Sequence, residues 1–265
     1  MAFCHKSYYK GDHNMKKSKW IILFLAIPLI AIGIAPIRAF ANPDAIETGR
    51  LLAILLDAGR VTVGANLPLI NDAAKGDKGF TPEIFEKQLT EKFKDRSGVD
   101  LANLKDAKIP EMAKKLLLQL VEASKITVAD NQAVINKQGV GFKGFIPATF
   151  GTQAAAKFSS KFGVYLKQTT HDGLLRNPKN KADDFEAAIM KKFADPAYPH
   201  QGDKVISEEV EGGKILRVIL PLFYGKGCLA CHGDPKGEKD ISGYAKEGAK
   251  EGDLGGAISV KLSVK

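Results

Sequence analysis

Cysteine is scarce in this sequence: its 265 residues hold three, Cys4, Cys228 and Cys231. That scarcity excludes a small domain stapled by disulfides. No low-complexity block, Pro/Ser-rich linker or internal repeat is read in residues 42–265, so that stretch is expected to form one domain. Disorder is excluded by a composition that is 45% hydrophobic and 26% charged. No run of lysine and arginine interleaved with aromatics occurs in the same stretch, and no nucleic-acid partner is expected.

The formal net charge is nevertheless +9, and its placement matters. Lys16, Lys17 and Lys19 precede an uncharged apolar run of 18 residues, Trp20 to Ile37. Ala39-Phe40-Ala41 follows, the small-x-small pattern of a signal-peptidase site, so residues 1–41 read as an export signal with Asn42 as the new N-terminus. Pro28 and Pro36 interrupt the run, which favours cleavage over an uncleaved anchor; only the uncleaved form would bring in a membrane. Met15 is an alternative true start, and no function is expected of Cys4, His5 or His13 ahead of it. Without residues 1–41 the chain has 33 basic and 29 acidic residues, a net +4. Five of the nine charges therefore belong to the exported-segment signature. The expected location is the periplasm or another exported compartment.

The remainder reads as helices followed by strands. Asn42-Pro43 predicts a helix start, with an apolar face from Ile46 through Leu56 toward Gly64. Thr81-Pro82-Glu83 and Pro110-Glu111 predict two more helices. Ile126–Val128 and Val134–Ile135 predict short strands, Ala154–Phe162 a helix, Val164–Thr169 a strand and Ala182–Phe193 a helix. Lys204–Val210 and Lys214–Phe223 flank Glu211-Gly212-Gly213, a hairpin signal. Ala257–Val264 alternates apolar and polar residues as a half-buried strand does. The expected fold class is α+β with a central antiparallel sheet, flanking helices and a long N-terminal helix.

Cys228-Leu229-Ala230-Cys231-His232 is C-x-x-C-H, the attachment signature of c-type haem. Two thiols three residues apart can form thioethers to one porphyrin, and the adjoining His232 is then carried under the iron as proximal ligand. A zinc site would need a second cysteine pair, which residues 42–265 lack. One covalent haem c is the expected cofactor. For the iron's sixth position the candidates are His171, His200, Met112 and Met190. Core packing competes for the two methionines and surface exposure for the two histidines. A residue of the first helix near Arg60, a water, or an open site binding a diatomic gas such as NO or CO are the further alternatives. Arg176 is a candidate partner for a haem propionate, or a residue that fixes the turn before the following helix. Phe142, Phe145 and Tyr224 either wall the haem or pack in the core. The glycines of Gly252 to Gly256 fit a tight approach to a strand better than a phosphate cradle.

Four blocks in order carry a family resemblance: Gly141 to Gly151, Arg176 to Asn180, Cys228 to Pro235 and Gly252 to Val260. Together they resemble the haem-c-binding PAS-like family long catalogued as a domain of unknown function, over residues 45–264. The resemblance implies a PAS-like antiparallel sheet, one covalent haem, and a periplasmic electron-carrier or sensor role. Some relatives close the iron's sixth position with a cysteine of the N-terminal helix; the matching helix here, Ile46 to Gly64, has none. The first functional expectation is an exported monohaem cytochrome that passes single electrons to a redox partner. The alternative is a haem-based sensor of NO, CO or redox state acting through a separate signalling partner. No enzyme is expected, since no distal acid–base pair is evident, although a small peroxidase remains a third class.

Overall fold

The computed structural model describes residues 42–200 and 203–264. The export-signal reading, Met15, Cys4, His5 and His13 lie outside the described residues. Among those described, no helix is long and apolar enough to cross a membrane.

The chain opens with α1, Pro43–Ala65, in which the Asn42 side chain accepts from the Asp44 N–H and proline takes the first turn. Its apolar residues do not keep to one stripe: Leu51, Leu52, Ile54, Leu55 and Leu56 are all buried. Such a helix has neighbours on every side. Glycine is what lets two of them in. A methyl group on Gly49 would stand 2.7 Å from the Val218 side chain, and one on Gly59 would stand 2.6 Å from the Phe150 ring.

A one-turn helix, α2 (Leu67–Ile70), and α3 (Pro82–Ser97) follow, then α4 (Glu111–Asp130), α5 (Gln132–Ile135) and α6 (Pro147–Phe162). The strands expected at 126–128 and 134–135 are therefore helical. Ile126, Thr127 and Val128 favour strand by side-chain shape, but Leu117, Leu120, Ser124, Thr127 and Val128 are buried at helical spacing. The Thr127 hydroxyl is satisfied within the helix, donating to the Ala123 carbonyl at 2.8 Å.

The helical half also corrects the expectation of no internal repeat. Residues 51–101 align without a gap on residues 116–166 and are identical at 21 of 51 positions. The elements follow the same offset, with α1–α2–α3 repeated as α4–α5–α6 and both third helices ended by a left-handed glycine, Gly98 and Gly163. Asn66 donates to the Thr62 carbonyl at 2.8 Å and to Gln88 at 2.6 Å; Asn131 donates to the Thr127 carbonyl and to Gln153, both at 2.7 Å. Between the repeats the exchange is reciprocal, as across a two-fold axis. The Lys78 N–H donates to Asn136 at 2.9 Å, the Lys143 N–H to Asn71 at 3.2 Å, and the equivalent rings Phe85 and Phe150 meet with centroids 5.1 Å apart.

The second repeat runs into β1 (Tyr165–Thr169), followed by α7 (Asp184–Phe193), β2 (Ile206–Val210), β3 (Ile215–Phe223), α8 (Leu229–His232) and β4 (Leu254–Ser263). The sheet is antiparallel in the order β1-β4-β3-β2, so the class is α+β. Leu216, Val218, Leu220, Ile258, Val260 and Leu262 join the core formed with the helices. Ile219 and Ala257 pack instead with Ile189, Met190 and Phe193 of α7. Covered on both faces, β4 buries Ser259 completely, where simple alternation predicted a solvent-facing residue. Ser259 is reached by Arg217 Nη2 at 3.3 Å, and Arg217 itself pairs with Glu186 and Asp183 of the α7 start.

Candidate functional site

The C-x-x-C-H motif begins where β3 leaves the sheet. The Tyr224 N–H donates to the Asp253 carbonyl and the Gly252 N–H donates back to the Tyr224 carbonyl, both at 2.8 Å. Lys226–Cys228 forms a 3-10 turn, and α8 carries Leu229 through His232. Both thiols are free, with Cys228 exposed and Cys231 half-buried. Burial pushes the Cys231 thiol above its usual range, reinforced by Asp240 and opposed by Arg176.

A hairpin-like loop, residues 234–250, brings distant residues back to His232. The Ala249 N–H donates to the His232 carbonyl at 2.8 Å and the Gly248 N–H to the Gly233 carbonyl at 3.2 Å. These bonds place Glu247 so that its Oε2 lies 2.9 Å from His232 Nδ1. Tyr224 stacks on the imidazole with centroids 4.7 Å apart and an interplanar angle of 23°, its hydroxyl 3.3 Å from the same nitrogen. Nε2 is left with no hydrogen-bond partner among the described residues. Burial lowers the His232 pKa, Glu247 opposing, which favours the neutral imidazole that metals bind. Burial and the Glu247 charge raise the Tyr224 pKa, so its hydroxyl keeps its proton.

Arg176 does reach the site, but its donors are engaged by the protein. Nε and Nη2 grip both Glu247 oxygens at 3.0 Å, Nη1 pairs with Asp240 at 2.7 Å, and Nη2 also donates to the Cys231 carbonyl at 2.9 Å. Asp240 in turn accepts from the Ser242 hydroxyl at 2.6 Å. Arg176 thus ties the block Arg176-Asn177-Pro178 to the motif turn itself. Tyr224 sits against the glycines of the β4 start: a methyl group on Gly255 would fall 2.6 Å from its ring. Gly256 passes the Thr169 carbonyl at 2.4 Å from where a Cβ would be, as a tight approach to a strand requires.

The other sequence candidates are scattered. Met112 is exposed at 41%, and Met190 is buried in the small core under α7. His171 is exposed ahead of a 3-10 turn, Asp172–Leu174. His200 is exposed and stacks on Phe223 at 4.1 Å. Arg60 pairs with Asp57 on α1, and that helix contains no Cys, His or Met. Phe145 belongs to the main core beside Phe150, and Phe142 is half-buried. Sequence spacing gave no hint of Glu247 or Asp240. They follow His232 by 15 and 8 residues in a stretch of mixed charge, and only the loop closure selects them.

The donor set fits an iron porphyrin held by two thioethers and one imidazole. Two free thiols and an imidazole lie on one turn, the imidazole has one nitrogen anchored, and that anchor is the outer-shell arrangement typical of ligating histidines. The family model described as Tll0287-like matches residues 106–263. The matched region thus opens with α4 rather than with Ile46 to Gly64, and α4 also lacks cysteine. Among solved structures, the crystal structure of the cyanobacterial heme-protein Tll0287 is similar at 15% identity and a TM-score of 0.40, over 58% of this chain and 96% of that one. No curated protein matches the chain.

Proposed function

The chain belongs to the Tll0287-like family, and from that premise we propose that it is an exported c-type cytochrome, holding one covalent haem and passing single electrons to a redox partner. One observation carries the reading: His232 presents a free Nε2 from a turn that also bears Cys228 and Cys231, while Glu247 fixes the other ring nitrogen. Cys228 and Cys231 would hold the haem through thioethers, each S–H being added across one vinyl group, so that attachment would consume no oxidant. Bound there, the haem supplies a one-electron ferric/ferrous couple. Exposed Cys228 supports an edge open to a partner. Residues 225–253 hold five lysines and six carboxylates, so that edge offers mixed charge and short-range contact rather than long-range steering. The export pattern of residues 15–41 supports a periplasmic or similar location.

The test is expression of the full chain with c-type maturation machinery, followed by an alkaline pyridine haemochrome spectrum. The wild type is expected to give the two-thioether spectrum, and Cys231→Ser to lose it. An unchanged spectrum in C231S, or a haem-free wild type, overturns the assignment. Carbon monoxide then separates the two roles: a ferrous protein that forms no CO adduct supports electron transfer, and one that binds CO readily overturns it in favour of gas sensing.

A further inference from the structure

We propose that Glu247 sets the electron-donating strength of His232, with Arg176 as the positioning residue that holds Glu247 in place; this rests on the haem reading above. Glu247 lies 2.9 Å from His232 Nδ1, closer than the Tyr224 hydroxyl at 3.3 Å. A ring N–H given to a carboxylate makes the imidazole more anionic and a stronger ligand, which stabilises ferric over ferrous iron. The carboxylate is itself fixed: Arg176 grips both of its oxygens at 3.0 Å. Left alone, that guanidinium would cancel the Glu247 charge. Asp240, its side chain fully buried, pairs with the same guanidinium at 2.7 Å. One cation and two anions leave a net negative charge behind the imidazole. The arrangement therefore keeps Glu247 rigid without neutralising it.

The measurement is the midpoint potential of the loaded full-length protein by spectroelectrochemistry, with haem content determined on the same samples. Glu247→Gln keeps the shape and the acceptor but removes the charge. At a fixed applied potential its ferrous-to-ferric ratio is expected to rise about tenfold, an upward shift of about 59 mV for one electron. Tyr224→Phe keeps the stacked ring and should move that ratio by less than about twofold. An E247Q protein with full haem content and an unchanged potential overturns the inference while leaving the cytochrome reading intact. A haem-free wild type removes the reading itself. Should E247Q fail to load haem, NMR of the wild-type ferrous protein decides. The His232 Nδ1–H proton is expected far downfield and slow to exchange, and an ordinary, freely exchanging resonance overturns the proposal.

Discussion

Individual residues at the motif act through contacts that leave little slack. Tyr224 is held between the His232 ring and Gly255, so a side chain at 255 must displace either the tyrosine or the strand. Gly255→Ala is expected to cost about 1–3 kcal/mol in urea unfolding. Gly225→Ala, where an added methyl group meets open space at an ordinary negative φ, should change stability by less than about 0.5 kcal/mol. Equal losses at the two positions would show that the stacked tyrosine is not confined. The grouping of Cys228, Cys231 and His232 was legible because their spacing alone places them on one turn. Arg176 was legible as a residue near the site, but its partners were not. Its two carboxylates are 64 and 71 residues away in sequence, and nothing in local pattern joins them.

At the scale of elements, the two helical repeats use the same internal bonds. Asn66 and Asn131 each close their long helix and brace the third helix of their own repeat through a glutamine. Replacing either by alanine strands a carbonyl and a glutamine oxygen, at a cost of about 1–3 kcal/mol. The losses from Asn66→Ala and Asn131→Ala should agree within about twofold by denaturant unfolding, and a strongly unequal pair would mean that the repeats are not equivalent in stability. Helix starts were readable from Asn42-Pro43, Thr81-Pro82 and Pro110-Glu111, because capping and proline act within a few residues. The strand reading of Ile126–Val128 failed because burial at helical spacing outweighs a local β preference. The repeat has little local signature because its identical positions are mostly buried or structural, while the surface charges between them differ.

At the scale of the whole molecule, a few partly buried networks join charges that lie far apart in the described chain. Asp57 on α1 is reached by both Arg60 and Arg96, and Arg96 also grips Asp203 at 2.6 Å. Burial alone would raise the Asp57 pKa, but the two guanidiniums more than offset it and hold the carboxyl below its usual range. Burial acts likewise on Asp183 and Asp240, and their arginine and backbone partners again win. A folded-state pKa below the unfolded one means the native state binds protons less readily. The associated stability is then fully present above the unfolded value near pH ~3.9 and is lost as pH falls through the lower folded value. These carboxylates are therefore expected to make stability against urea fall below about pH 4. Asp57→Asn should be less stable at pH 7 and show a shallower acid decline; an unchanged acid profile would show that Asp57 does not contribute.

The sequence by itself determined the shared turn of two thiols and an imidazole, three helix starts, the hairpin and the α+β class, because each depends on residues close together in the chain. Its +9 charge resolved into an export-like segment and a nearly balanced remainder for the same local reason. The tertiary structure decided what depends on closure across long separations. It covered both faces of the sheet, set the two helical repeats against each other through reciprocal bonds, and folded residues 234–250 back so that Glu247 meets His232. A hydrogen bond of 2.9 Å across 15 residues has no signature in spacing, because it exists only once the loop has returned.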